Sequence, residues 1–426
     1  MKSKLLTIIS SLVLLVVMTV LPTASFALSW SQVNQNDFGG TPPFGNSYIN
    51  EVVNFKGRMY AAKTESDAGY DSTWANLYRC CGAGQSGWNN VFDGDTKWDA
   101  DFDLFPGDDH DSDQELIPVV INNRLYVGTK NVSGGELWVS DDGDNYSLIY
   151  NDGIDNQDNT AIRSIIQFNG NIYLGTANDN DGARIYRIEN NSSATQVNDD
   201  GFGDFNNTEV TQMFVFDGYL YAGIYNPNGS QLYRSASGDI GSWTLVNNDG
   251  FSDSNNTYII ASTIFNNEMY IGTYNTTDGG QVLVSSNGTS WATTGGDGLG
   301  SSHNTEIGSL LVANDGNLYA GTRNDTDGAK LYYSSNGTSW SQDNGINFSN
   351  PYNYAIFAMY SDSNTFFAVM SNKHTGAEVF CSGCTNGNWC ILDAIDDPST
   401  TSNSNPQSPI SENKPKVLFP QTGVGE

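Results

Sequence analysis

A short apolar motif built on one aromatic residue returns along the chain and constrains its fold more than any other feature. The copies are Met59-Tyr60-Ala61-Ala62-Lys63, Leu125-Tyr126-Val127-Gly128-Thr129, Ile172-Tyr173-Leu174-Gly175-Thr176, Leu220-Tyr221-Ala222-Gly223-Ile224, Met269-Tyr270-Ile271-Gly272-Thr273, Leu318-Tyr319-Ala320-Gly321-Thr322 and Phe366-Phe367-Ala368-Val369-Met370. The steps between their aromatic residues are 66, 47, 48, 49, 49 and 48. That spacing belongs to repeat architectures, in which each copy is one supersecondary unit too small to bury its own core.

One regular copy shows the content of a unit. Glu306 to Val312 reads as an apolar strand, Asn314-Asp315-Gly316-Asn317 as a hairpin turn, and Leu318 to Thr322 as the next strand. A second turn at Asn324 to Gly328 leads to a third strand, Ala329 to Ser334, and Asn336-Gly337 turns into a fourth beginning at Trp340. No helical period occurs anywhere. Four antiparallel strands at this repeat length predict an all-β, seven-bladed β-propeller over residues 28–392. Fourth strands are expected to begin at Trp30, Trp88, Tyr146, Thr195, Trp243, Trp291, Trp340 and Trp389, one more than the seven second strands. The surplus suggests that the strand from Ser29 to Val33 joins the last blade and closes the ring, with Trp389 to Leu392 competing for that place. Cys80, Cys81, Cys381, Cys384 and Cys390 cluster in the first and last blades. They are expected to form a disulfide clasp within one blade or between the two, with one thiol left over and zinc as the rival reading.

Met1 to Ala27 reads as a secretory leader: Lys2 and Lys4, an apolar run from Leu5 to Val20, and small residues before a cut after Ala27. An exported, extracellular or cell-surface protein is the expectation, a monomer with no membrane insertion of its mature domain. The net charge is −30, and −32 without the two leader lysines. Phosphate-rich partners are bound through Lys and Arg, so such a chain repels nucleic acid and anionic lipid. Asp393 to Ser411, rich in Ser, Asn, Pro and Thr, reads as a flexible stalk within a disordered segment at 393–426.

The connection from Phe92 to Glu115 exceeds the repeat and holds ten carboxylates with Glu115 included. Asp99, Asp101 and Asp103, then Asp109, Asp111 and Asp113, alternate along it. Clustered Asp oxygens suit calcium, whereas the spacing is not that of an EF-hand, and a solvated acidic loop is the competing expectation.

Two stretches resemble known families. Ser285-Ser286-Asn287-Gly288-Thr289-Ser290-Trp291, repeated at Ser334 to Trp340 and loosely at Ser140 to Tyr146, looks like the Asp-box of sialidase-like propellers. It is one residue shorter, with Asn mostly replacing Asp, and the likeness implies fold alone, because the box is a structural turn away from the usual binding face. The second strands resemble kelch blades more faintly, without that family's paired glycines. Phe419-Pro420-Gln421-Thr422-Gly423 is similar to a sortase sorting signal, with Phe in place of the usual Leu. The apolar helix and basic tail that follow in that family are missing, so the expectation is a chain cut short of them, with chance as the other reading; cell-wall anchoring is what the likeness implies.

Loops that join second to third strands, and one blade to the next, gather on one face of a propeller. Their repeated Asn residues, Asn131, Asn178, Asn226, Asn275, Asn324 and Asn372, read as turn chemistry. The residues that break the repeat are more informative: Tyr70, Trp74, Tyr225, Tyr274, Arg323, Lys373 and His374. Aromatic faces beside polar groups are what a sugar-binding surface uses. Glu115, Glu209 and Glu306 fall near the starts of innermost strands. They could ring the channel mouth and hold a hard cation or act as an acid/base pair, although solvated strand ends are the plainer expectation.

Sialidase chemistry needs three arginines converging on a substrate carboxylate, and of the eight arginines only Arg163 and Arg323 are expected at the binding face. His110, His303 and His374 lack the spacing of a metal cluster. The sequence therefore favours a non-catalytic binding or adhesion module for a carbohydrate or cell-envelope partner, with calcium the one cofactor suggested. The alternatives are a polysaccharide hydrolase or lyase using Glu209, Glu306 and Glu115, and a structural surface-coat protein.

Overall fold

The computed structural model describes residues 28–34, 38, 47–66, 73–80, 88–93, 115–189, 193–247, 249–343, 350–362 and 365–384. The leader, the stalk, Tyr70, the acidic run with Asp99, Asp101, Asp103, Asp109, Asp111 and Asp113, Cys81, Cys390 and Phe419 to Gly423 lie outside the described residues.

Among the described residues the protein is all-β and antiparallel, interrupted by single 3-10 turns such as Asp200–Gly203 and Asp249–Ser252. The predicted unit is present: Glu306–Val312, Leu318–Arg323, Leu331–Ser334 and Ser341–Asp343 pair in sequence order. Fourth strands begin at Trp30 and Trp88 as expected, two residues early at Ser193, and one residue late at Ser147, Thr244, Ala292 and Ser341. At Thr244 and Ser341 the preceding tryptophan leaves the sheet to reach the unit before it, where Trp243 Nε1 donates to the Val197 carbonyl at 2.8 Å and Trp340 Nε1 to Thr294 Oγ1 at 3.3 Å.

The innermost strands, Tyr48–Phe55, Glu115–Ile121, Ala161–Phe168, Glu209–Phe216, Tyr258–Phe265, Glu306–Val312 and Asn353–Ser361, each pack on the next, and the last packs on the first. Asn54 donates to the Tyr360 hydroxyl across that contact at 3.0 Å. The strand Trp30–Gln32 pairs with Glu378–Ser382 and extends the C-terminal unit, as the surplus strand suggested. The hydrogen bonding does not separate every unit, however. It gathers the strands into two 12-stranded sheets and one 4-stranded sheet. Within the large sheets one backbone bridge ties a second strand to the next unit's first strand, as between Tyr274 and Glu306 or Arg323 and Ala355.

The core lies between units, which explains the motif. In the copy at Met269 to Thr273, a Cβ on Gly272 would come within 2.5 Å of the Ile307 carbonyl oxygen in the following innermost strand, so only glycine permits that approach. The ring of Tyr221 is wholly buried, and its hydroxyl sits against Gly288 in the next unit's third turn, where φ is +70°. Ser285 Oγ accepts from the Gly288 amide at 2.8 Å, and Asn287 Oδ1 accepts from the Thr289 and Ser290 amides, both at 2.9 Å. First and last units share one apolar cluster, with Val52, Met59 and Cys80 packed beside Phe367, Val369 and Cys381. Cys381 and Cys384 form a disulfide within the last unit, and Cys80 is also disulfide-bonded.

Candidate functional site

The repeated loop asparagines close on one another. Asn226 Oδ1 caps its own turn by accepting from the Asn228 amide at 2.9 Å, while its Nδ2 donates to Asn207 Oδ1 at 2.8 Å. Asn207 in turn donates to the Gly201 carbonyl at 2.8 Å. The same pairing joins Asn178 to Asn159 at 3.0 Å, Asn275 to Asn256 at 3.1 Å and Asn324 to Asn304 at 2.9 Å, and it joins Asn372 to Asn353. All ten are buried, so the girdle is internal scaffolding with little left to offer a ligand.

The same end of the strands carries a second layer in which the copies differ. Glu115, Glu209, Tyr258 and Glu306 occupy the first positions of their innermost strands. Contrary to the expectation of solvated strand ends, Glu115 is 3% exposed and Glu306 0%. Arg163 lies between two of them, paired with Glu115 and with its Nε 3.4 Å from Glu209 Oε2. Burial alone would lower the Arg163 pKa, but Glu115 and then Glu209 more than offset it and hold the guanidinium charged. Tyr48 and Tyr258 sit at the edges of this triad, and burial, followed by Glu115 for one and Glu209 for the other, pushes both hydroxyls up. The cation between these carboxylates is thus a guanidinium. Among the described residues no three His, Cys, Asp or Glu side chains converge as metal ligands.

Glu306 is different again. Among the described residues neither carboxylate oxygen has a hydrogen-bond partner. Burial pushes its pKa up to about 8, against the opposing pull of Arg323. Arg323 is engaged elsewhere: its Nε lies 2.9 Å from Asp325, which also receives Lys373 Nζ at 2.6 Å. Both cations lie over the ring of Tyr354, at 5.8 Å and 5.1 Å.

Between Glu209 and Glu306 runs an aromatic array. Tyr225 stacks on Tyr258 with centroids 4.1 Å apart, and Tyr258 meets Tyr274 edge to face at 5.8 Å. His374 packs on the exposed Tyr352 at 4.0 Å. The structure therefore brings Tyr225, Tyr274, Arg323 and Glu306 to one rim and places His374 beside Lys373, at the end of the strand Phe366–Asn372. Trp74 pairs with Glu65 at the end of Thr73–Cys80. The sequence reading missed Tyr48, Tyr258, Asp325 and Tyr354. Tyr48 and Tyr258 could have been found by counting back from the motif to the first position of each innermost strand, where Glu209 and Glu306 were noticed for their charge.

No protein-family model matches the chain, and neither does any curated protein by sequence. Solved structures do match. The BP39L lectin of Burkholderia pseudomallei is similar at 12% identity, with 82% of this chain and 99% of that chain covered and a TM-score of 0.55. The WD40 domain of Neurospora crassa Pan2 is similar at 7% identity, covering 85% and 98% with a TM-score of 0.51. A prolyl endopeptidase matches at 12% identity and TM-score 0.44 over 80% of this chain, which spans only 51% of that enzyme's length. At such identities the likeness is one of fold alone, and it sets the chain among propeller-like all-β structures.

Proposed function

We propose that this protein is a non-catalytic binding module for carbohydrate, displayed outside the cell, whose repeats form seven four-stranded blades closed into a ring. The packing of Asn353–Ser361 on Tyr48–Phe55 supports the ring, and Trp30–Gln32 pairing with the last unit supports closure through the termini. The observation behind the binding reading is the array of Tyr225, Tyr258 and Tyr274 beside Arg323 and Lys373. Stacked rings give sugar C–H faces an apolar platform, and the adjacent donors fix hydroxyl oxygens. Structural kinship with a lectin accords with this reading and carries no ligand across. A monomer at the cell surface, fastened through its C-terminal motif and steadied by calcium in the acidic connection, completes the proposal.

A glycan and cell-wall polysaccharide array probed with and without chelator, with product release followed by mass spectrometry, tests it. Retention that is lost in Tyr258→Ala and Arg323→Ala, without products, is the expected result; retention that survives both substitutions sinks the mouth as the site. Buried, partner-free Glu306 favours a second reading, an acid catalyst of polysaccharide cleavage. Products that vanish in Glu306→Gln would establish that reading in place of the first.

A further inference from the structure

A groove of ≈ 550 Å³ opens on the outer flank, where the unit beginning at Glu209 meets the one beginning at Tyr258. Its volume lies within the range of small-molecule sites. Arg234 enters from a third strand, Thr244 and Leu245 from the short fourth strand, and Asn247 and Phe251 from the connection beyond it. Trp291, from the next unit's hairpin, faces them.

Two features of this groove depart from the repeat. The indole N–H of Trp243 and that of Trp340 each donate to the preceding unit, whereas that of Trp291, like that of Trp88 in the first unit, is buried and has no acceptor among the described residues. An unmatched buried donor is destabilising unless a ligand supplies the acceptor. Arg234 is the second departure. Arg79, Arg124, Arg163, Arg184, Arg187 and Arg323 are each held by a carboxylate. Arg234 has none. It lies over the ring of Tyr219 at 4.4 Å, and a single terminal nitrogen makes two long contacts, 3.4 Å to the Tyr221 hydroxyl and 3.5 Å to the Asn287 carbonyl. Among the described residues its remaining N–H groups meet no acceptor and no carboxylate lines the groove.

We propose that this groove binds a carboxylated sugar, a hexuronate unit of an acidic polysaccharide, with Arg234 on the carboxylate and Phe251 and Trp291 against the ring. In a chain of net charge −30, a cation left free in a cavity without acidic neighbours selects for an anionic ligand. The aromatic walls and the hydroxyl of Thr244 select for a sugar over a bare anion. The site is distinct from the mouth. Tyr219, under Arg234, and Tyr225, in the aromatic array, stand at opposite ends of one strand, about 20 Å apart at the usual rise per residue.

The test is titration of the full chain with trigalacturonate and with uncharged galactotriose, followed by calorimetry and tryptophan fluorescence. Saturable binding of trigalacturonate is expected, with galactotriose weaker by about tenfold or more. Arg234→Gln should weaken the charged trimer by about tenfold or more, a loss consistent with one charge-assisted hydrogen bond. Trp291→Phe should abolish the fluorescence change while retaining the wild-type melting temperature. Arg323→Gln, at the mouth, should leave this binding intact, which separates the groove from the mouth reading. Absence of saturable binding, equal affinity for the two trimers, indifference to Arg234→Gln, or loss only in Arg323→Gln would each overturn the proposal.

Discussion

The asparagine girdle and the mouth layer lie at the same end of the strands and solve opposite problems. In the girdle five copies carry the same pair of asparagines, in which one amide caps its own turn and reaches its neighbour, so burial leaves these amides matched. In the mouth layer the corresponding positions hold Glu115, Glu209, Tyr258 and Glu306, and burial leaves the Glu306 carboxyl without a hydrogen-bond partner among the described residues. Identical units can be stabilised by identical bonds, whereas a ligand does not share the repeat's symmetry. The unmatched and varied positions are therefore where stability has been given up for something else.

Breaking the mouth triad should produce the largest effect. Arg163→Met leaves Glu115 and Glu209 buried without their cation and should cost about 3–5 kcal/mol in urea unfolding. A loss under about 1 kcal/mol would mean that those carboxylates reach water. Glu306→Gln should act in the opposite direction. Because the folded pKa is raised from 4.5 to about 8, the neutral acid is the form the fold accepts. Wild type is penalised progressively as pH rises through that window, by roughly 4 kcal/mol or somewhat more at its upper end. The glutamine variant should therefore match wild type near pH 4 and melt higher near pH 9, and parallel melting curves across that range would refute the buried-acid assignment.

Asn256→Ala attacks the girdle instead. It removes donors to the Gly250 carbonyl and Gln281 and an acceptor for Thr273 and Asn275, which should cost roughly 2–3 kcal/mol while leaving glycan retention unchanged. Altered ligand preference in that variant would erase the division between scaffold and site. The smallest effect belongs to the outer turns. Asp142 Oδ1 accepts from the Asp144 and Asn145 amides at 2.8 Å, as Asn336 does from Thr338 and Ser339. Asp142→Asn should thus stay within about 0.5 kcal/mol at neutral pH. Those amide bonds, that of Asn145 foremost, hold the Asp142 carboxyl well below the usual range. The wild-type turn is stabilised above the ordinary carboxylate pKa and loses this as pH falls, so the variant should be the less acid-sensitive of the two.

Much of the fold was legible because alternation and turn chemistry are local. Leu318 to Thr322 is apolar on both faces and flanked by Asn, Asp and Gly, so strand and turns follow without knowledge of neighbours. The surplus strand at Trp30 was legible because an unpaired edge is unfavourable wherever it lies. In the unit of Trp340 strand four starts one residue later than expected, since whether that tryptophan stays in its sheet or crosses to Thr294 depends on the adjoining unit. At the site, Tyr225, Tyr274 and Arg323 stood out as departures from the repeat. Tyr258 was passed over because its neighbours along the chain look like any strand start, and its stacking on Tyr225 exists only between units.

By itself, the sequence determined the unit, its strand order, the glycines each unit needs against the next and the identity of the turns, because these rest on backbone geometry and on periods of two and of about 48 residues. Tertiary structure alone decided which charges meet. Arg163 finds Glu115 48 residues away, whereas among the described residues Glu306 finds no hydrogen-bond partner and Arg234 no carboxylate. Those outcomes depend on the distance and dielectric between units, and neither quantity is written in the order of the residues.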